Sequence, residues 1–428
     1  MKLQTLQDTS ITGKTILLQV DYNVPLEKVR GNWQVQDDTR IVLSIPTIKY
    51  LLDHRCKVVI LTKSGRPDGV VDVALRLTPQ HARLQELLGQ PIKLLQVSTG
   101  SIVSQAVSEL VAGEVLMLEN ARFEPGEVKN DAALAKFWAS LADMIVNDAF
   151  STSHRAHASV SGVAAFLPMV AGLQLQQEVE TLSKLIERPR RPFVTIVGGA
   201  KISDKVEVIR NLAKVADVVL VGGGVANNFL KAEGIDVHHS YLEDAAVDQA
   251  KKGQSFVAVA DELLEETKRE KMLLDGYIPL PRILYPVDVI AGKSVAKPGT
   301  PRVVDLTQGD TTADEALRGH DEYMFLDIGP RTQKLYSQII LEAGTVFWNG
   351  PMGVFEQDAF AAGTRAVALA MAKSTAFTVV GGGDTISAIN QFKVFDRFDY
   401  VSAAGGASLE FLAGEQLPGI LPMVITHK

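Results

Sequence analysis

Arg40, Lys63, Arg66, Arg122 and Arg155 all follow runs that read as strands or lie in adjoining loops, and His154 and His157 flank the last of them. Guanidinium forks suit carboxylate and phosphate, because two parallel N–H bonds fix orientation as well as charge. A single arginine is most often a solvated surface residue. Five cations in equivalent positions point instead to a convergent site for a small, multiply anionic ligand. Asp21 and Asn23, in "DYNVP", suit a hydroxyl on such a ligand as well as an ordinary turn. The "HRAH" histidines have superficially zinc-like spacing, but with one cysteine and no matching third ligand a phosphate or structural role is favoured.

In the second half of the chain the strand-like runs open into "GGAK", "GGGVANN", "NGPMGVFE" and "GGGDTIS". Glycine lets a backbone approach a ligand closely, and a helix opening after it aims free N–H groups and a positive dipole end at an anion. With a helix beginning near Ala200, Lys201 and Lys205 fall one turn apart on one face, placed to bracket a polyphosphate. One Gly-Gly after a strand is simply a tight turn; four such openings in one half argue for a phosphate-binding edge. Asp384 stands at the next helix start, either facing a bound Mg²⁺, which takes one or two protein carboxylates, or capping its helix. Glu356 suits a ribose hydroxyl or is an ordinary first-turn acid. No Walker A loop is present, and in "GGGVAN" Asn227 replaces the last glycine of a GxGxxG, so dinucleotide binding loses its fingerprint.

The elements that must position these residues follow from length and pattern. A chain of 428 residues exceeds the size at which one core usually keeps growing. "TILLQV", "KVVIL", "EVLML" and "DMIV" alternate with helical segments in the first half, and "FVTIV", "DVVLV", "PVDVI", "TVFW" and "FTVV" do so in the second. "LQLQQEVETLSKLIE", ended by "RPRRP", reads as a long connecting helix. The fold expected is α/β: two doubly wound, Rossmann-like parallel-sheet domains over 1–172 and 191–403, joined by a hinge helix and linker over 173–190. Residues Ala291 to His320 read as a polar surface excursion with little core, and "VAAFLPMVAGL", too short to span a membrane, as buried core. A net charge of −7 and a pI near 5.7 argue against a nonspecific hold on nucleic acid or an anionic membrane. The single Cys56 excludes an internal disulfide and fits a reducing cytosol, and the N-terminus has no apolar core that would serve as a signal peptide.

The motifs "QVDYNVP", "GRPDG", "LENARF", "VNDAFSTSHRAHAS", "VGGAKISDK", "VGGGVANNFLK", "LDIGP", "FWNGPMGVFE", "VGGGDTISA" and "GGASLEFLAGEQLPG" occur in the order found in phosphoglycerate kinases, and the chain resembles that family from about Lys14 to Pro418. The resemblance implies that Asp21, Asn23, Arg40, Lys63, Arg66, Arg122 and Arg155 bind 3-phosphoglycerate or its acyl phosphate. It implies that Lys201, Lys205, Gly222, Asn349, Pro351, Glu356, Gly381, Gly382, Gly383, Asp384 and Thr385 bind ADP or ATP, with Mg²⁺ at Asp384. Arg40, Lys201, Gly381 and Ala404 match positions that act on the phosphoryl group in transfer. It also implies a cytoplasmic monomer whose partners are small molecules, with a tail over 404–428 returning to the N-terminal domain.

The chain departs from the family pattern at several positions. Gln19 stands for arginine, Lys63 for the histidine of "SHLGRP" and Ser151 for the glycine of "DAFGT". Ala403 and Ala404 replace the threonine and first glycine of "VSTGGGAS", where a Cβ restricts φ beside the phosphate path. These changes motivate an alternative, a catalytically weakened relative kept as a nucleotide-binding or regulatory protein.

Overall fold

The computed structural model describes residues 1–243, 255–268, 271–274, 278–297, 299–307 and 322–425. The chain divides into two compact units, Met1–Thr181 with Glu415–Lys428, and Leu182–Gly414. The division falls inside the helix Leu173–Glu187, which coincides with the periodic segment. Leu175, Val179, Leu182 and Leu185 are buried along one stripe of that helix. Among the described residues no helix is long and apolar enough to cross a membrane.

The first unit contains β1 (Thr15–Gln19), β2 (Leu26–Val29), β3 (Asn32–Val35), β4 (Lys57–Leu61), β5 (Lys93–Leu94), β6 (Val115–Met117), β7 (Met144–Asn147) and β8 (Met169–Ala171). Six of them form a parallel sheet in the order β5-β6-β4-β1-β7-β8. The central strands are buried on both faces, which is why they read as unbroken Val/Ile/Leu runs without alternation. Ile16, Leu18, Val58, Ile60, Met117 and Val146 share one core. The hairpin β2–β3 lacks a buried face and left no apolar signal in the sequence. "VAAFLPMVAGL" is buried only in part: Met169–Ala171 is an interior strand, whereas Phe166 is 45 % exposed.

The second unit contains β9 (Phe193–Val197), β10 (Val218–Val221), β11 (Lys271–Leu274), β12 (Ile278–Pro281), β13 (Ile283–Leu284), β14 (Asp288–Gly292), β15 (Arg302–Asp305), β16 (Met324–Ile328), β17 (Thr345–Asn349), β18 (Phe377–Gly381) and β19 (Tyr400–Ser402). Its parallel sheet runs β13-β10-β9-β17-β18-β19. "PVDVI" is not part of it. That segment is β14, the middle of an antiparallel sheet β15-β14-β16 with its own core of Val289, Ala291, Val304 and Phe325. The supposed surface excursion therefore supplies a strand and a buried Val304, while its residues 298 and 308–320 lie outside the described set.

The C-terminal residues pack on the first unit from Glu415 rather than from 404. Residues 406–412 form a helix held within the second unit, where Asn211 Nδ2 donates to Leu412 O. Beyond it, Asn147 Nδ2 donates to Gly419 O at 2.9 Å, Gly419 N–H donates to Ser153 O at 2.8 Å, and Gln4 N–H donates to Met423 O at 2.7 Å.

Candidate active site

In the first unit the parallel strands end level, Gln19 facing Leu61 on one side and Asn147 on the other. Chain order reverses between β1 and β7, the place where open α/β sheets receive ligands beyond their strand ends. Asp21 is the centre of this edge. Its Oδ2 accepts from Arg40 Nη1 at 2.7 Å and from Ser151 Oγ, and its Oδ1 accepts from the Asn23 N–H at 3.0 Å. Asn23 Oδ1 accepts from Gly65 N–H at 2.9 Å, tying the loop after β1 to the loop after β4. Arg122 donates to Gly65 O, and Asn120 Nδ2 donates to Ser64 O at 2.8 Å, so the loop after β6 is fixed to the same place. Arg66, Arg122, Arg155 and His157, with Asp68 and Val128, line a cavity of about 270 Å³.

Lys63 is 3 % exposed and its Nζ has no protein acceptor. Burial lowers its pKa from 10.5 to about 8, although Glu127 and Asp21 pull it upward. Burial, assisted by Arg155 and Lys63, lowers His154 to about 4, and burial with Lys63 and Arg122 lowers His157 to about 4. Both imidazoles are neutral near pH 7. Arg122 Nε, His154 Nδ1 and both amide atoms of Gln19 are likewise buried without a hydrogen-bond partner, as is His157 Nδ1, which lies 3.7 Å from Glu127 Oε1. Folded proteins leave few such groups, so their concentration at one edge marks a place built for a polar ligand.

Two residues of this region went unread as site residues. Ser151 was visible only as a departure from the family pattern. Glu127, in "EPGEV", has the composition of a surface turn, yet it is fully buried and accepts from Ser159 N–H at 2.9 Å and Ser159 Oγ at 2.5 Å. No local signal distinguishes it.

In the second unit Val197, Val221, Asn349, Gly381 and Ser402 stand level across the sheet. Gly198, Gly222, Gly350, Gly382 and Ala403 therefore leave it side by side. Several of these glycines serve loop-on-loop packing: a Cβ on Gly222 would lie 2.5 Å from Met352 Sδ, and one on Gly350, at φ +93°, would collide with Gly198 O. Gly383, Gly405 and Gly406 have nothing within 4 Å of a Cβ position, so the open stretch of the edge follows β18 and β19.

The helix after β9 begins at Val206, not near Ala200. Gly199, at φ +96°, turns the chain, and the N–H groups of Lys205 and Val206 both bond Ile202 O at 2.8 Å, making a turn where a helix was expected. Lys201 is consequently exposed, while the half-buried Lys205 donates to Gly198 O. Burial lowers Lys205 from 10.5 to about 8, and the charges of Asp384 and Asp204 oppose the shift.

Asp384 is exposed in the first turn of the helix Gly383–Gln391. Gly382 holds the cap position of that helix, and no side chain caps it. Thr385 is buried, and its Oγ1 accepts from Gly350 N–H at 2.7 Å. Asn349 is buried with its Nδ2 unpartnered, beneath the backbone of Gly382. Pro351 is buried and its carbonyl accepts from Gly199 N–H at 2.7 Å, whereas Glu356 is exposed. Neither Ala403 nor Ala404 adopts positive φ; the positive φ of this loop, +57°, falls on Gly405. The alanines therefore sit in this loop without backbone strain.

A family model described as phosphoglycerate kinase matches residues 6–415. The chain belongs to the phosphoglycerate kinase family. Curated phosphoglycerate kinases of Herpetosiphon aurantiacus and Moorella thermoacetica are 44% and 45% identical to it over 420 and 419 residues, covering 98% of this chain and 98% of each relative. Among solved structures, phosphoglycerate kinase from Coxiella burnetii is 35% identical with a TM-score of 0.81, and that from Pyrococcus horikoshii OT3 is 32% identical with a TM-score of 0.78. Each covers 98% of both chains. Phosphoglycerate kinases are phosphotransferases with a carboxyl acceptor that use ATP or ADP as substrate, and the resemblance read from the motifs agrees with these full-length matches.

Proposed function

We propose that this protein transfers a phosphoryl group reversibly between 1,3-bisphosphoglycerate and ADP, giving 3-phosphoglycerate and ATP, in a Mg²⁺-dependent step of glycolysis and gluconeogenesis. The observation that carries the proposal is the set of buried, unpartnered donors around Asp21 and the cavity lined by Arg66, Arg122 and Arg155. In this reading the three arginines and Lys63 hold the anionic groups of the phosphoglycerate, and Asp21 accepts from its hydroxyl.

No strong base is required, because the attacking carboxylate is already ionised near pH 7. The step needs in-line placement and positive charge around a loose transition state. Arg40 and Lys201 supply that charge, while Lys205 and the N–H groups of Gly381 to Asp384 hold the nucleotide phosphates. Asn349, Pro351 and Gly222 shape the nucleotide side, and Glu356 takes the ribose. The exposed Asp384 carboxylate, beside the open backbone of Gly383, fits a hard cation that needs one protein carboxylate. Magnesium bound there neutralises phosphate charge. Cytoplasmic residence, a monomeric state, the hinge role of Leu173–Glu187 and the assignment of one ligand to each unit belong to the same proposal. The net charge of −7 disfavours nucleic acid and anionic membranes as partners.

The test is coupled ATP consumption with 3-phosphoglycerate, with Mg²⁺ and with EDTA. Turnover that requires the metal is expected. Turnover at the no-enzyme rate, with both ligands bound in calorimetry, would establish the weakened relative instead. The unstrained backbone of Ala403 and Ala404 favours the active enzyme.

A further inference from the structure

We propose that Ser151 is a positioning residue of the substrate site: its hydroxyl locks the Asp21 carboxylate and so selects a ligand bearing a hydroxyl on the carbon next to its carboxyl group. The proposal rests on the phosphoglycerate assignment above. Ser151 Oγ donates to Asp21 Oδ2, the oxygen that also accepts from Arg40, while Asn23 N–H holds Oδ1. A carboxylate offers about four acceptor positions, so three fixed donors leave one, aimed in a single direction. The backbone of Ser151 is itself held. Its turn is closed by Thr152 N–H on Ala149 O at 3.1 Å and Ser153 N–H on Phe150 O at 2.9 Å.

The glycine of the family pattern has no side-chain atom that could reach Asp21, so the third donor comes with the serine. Without it, Oδ2 keeps only Arg40, and the carboxylate gains freedom to turn about its own bond. A ligand hydroxyl then meets an acceptor that is not pre-oriented. Sites built around a hydroxyl discriminate strongly against analogues that lack it, and this discrimination is what Ser151 controls. The spare lone pairs of the serine oxygen also remain available to the ligand hydroxyl.

The full-length protein is titrated calorimetrically with 3-phosphoglycerate and with 3-phosphooxypropanoate, which lacks only the hydroxyl, as wild type, Ser151→Ala and Ser151→Thr. Ser151→Ala is expected to weaken 3-phosphoglycerate binding by roughly five- to tenfold, the worth of about one hydrogen bond, while changing the deoxy analogue by less than about twofold. Ser151→Thr restores the difference, and in the coupled assay the KM for ATP does not move. Equal weakening of both ligands would reduce Ser151 to a structural residue and overturn the proposal, as would no change in either. Discrimination lost in Ser151→Ala while wild type shows no turnover would uphold the positioning role and remove the transfer reaction. A wild type that binds neither phosphate ligand would end both.

Discussion

At the scale of single residues, each unit holds a lysine whose charge burial has weakened, Lys63 in the first and Lys205 in the second. Lys63 is a buried ammonium whose pKa has fallen from 10.5 to about 8. Below about 8 it is cationic and available to an anion; above it the charge is lost. The KM for 3-phosphoglycerate should therefore rise as pH passes through about 8, and Lys63→Arg, which stays charged, should flatten that rise in a pH series of initial rates. The same shift sets the sign for folding. A lysine depressed in the native state penalises folding most below pH 8, so its cost to stability fades as pH climbs from about 8 toward 10.5. Arg40 calls for a different experiment. It is anchored by Asp21 at 2.7 Å and by Asn23 O at 3.1 Å, and its assigned role lies in the transition state. Arg40→Ala should lower kcat by about 10²- to 10³-fold with little change in the calorimetric Kd for ADP. An equal loss of ADP affinity would move Arg40 out of that role.

At the scale of elements, the connecting helix begins on a buried carboxylate that belongs to another loop. Asp148, one residue beyond β7, accepts from Gln174 N–H at 2.9 Å and Leu175 N–H at 3.2 Å, two donors of the first turn of Leu173–Glu187, while Leu173 N–H donates to Thr47 Oγ1 at 3.0 Å. Its neighbour Asn147 binds the C-terminal segment, and Ser151 in the same loop binds Asp21. The end of β7 and the short loop after it thus fix a helix start, a returning tail and the Asp21 carboxylate. Asp148→Ala should destabilise the first unit by about 1–2 kcal/mol in urea unfolding, as loss of a cap does, with Asp148→Asn intermediate. Burial raises Asp148 from 3.8 to about 6, so the stability it contributes is complete below pH 3.8 and declines as pH rises through about 6. Asp148→Asn should lack that decline. None of this was visible along the chain, because "NDAF" carries no sign of the residues it meets at 174 and 419. The helix itself was legible, since its apolar stripe is a local property.

At the scale of the whole molecule, the first unit is completed by residues from the far end of the chain. Leu417, Ile420 and Met423 are buried there, and Leu3 bridges to Val424. Removing residues 415–428 should lower the melting temperature of the first unit by about 10 °C or more in scanning calorimetry, through loss of roughly 1.5–3 kcal/mol for each fully buried side chain. ADP affinity, assigned to the second unit, should hold. The sequence alone determined that there are two parallel-sheet units, which residues follow their strands, and which family the motifs resemble. Those features are local or periodic: a strand buried on both faces needs a continuous apolar run, and a loop after it shows its glycines or cations directly. It misread "PVDVI" as a strand of the parallel sheet, because direction and partner are settled by the antiparallel pairing with β15 and β16, which the segment's own apolar run does not show. It placed the helix near Ala200 too early, since the left-handed Gly199 and the contacts of its loop decide where the backbone can begin to coil. Only the folded arrangement decided which glycines are packed and which are open, which charges are buried without partners, and that Ser151 reaches Asp21. Those outcomes depend on registers between strands far apart in the chain, and register is a property of the sheet rather than of any one segment.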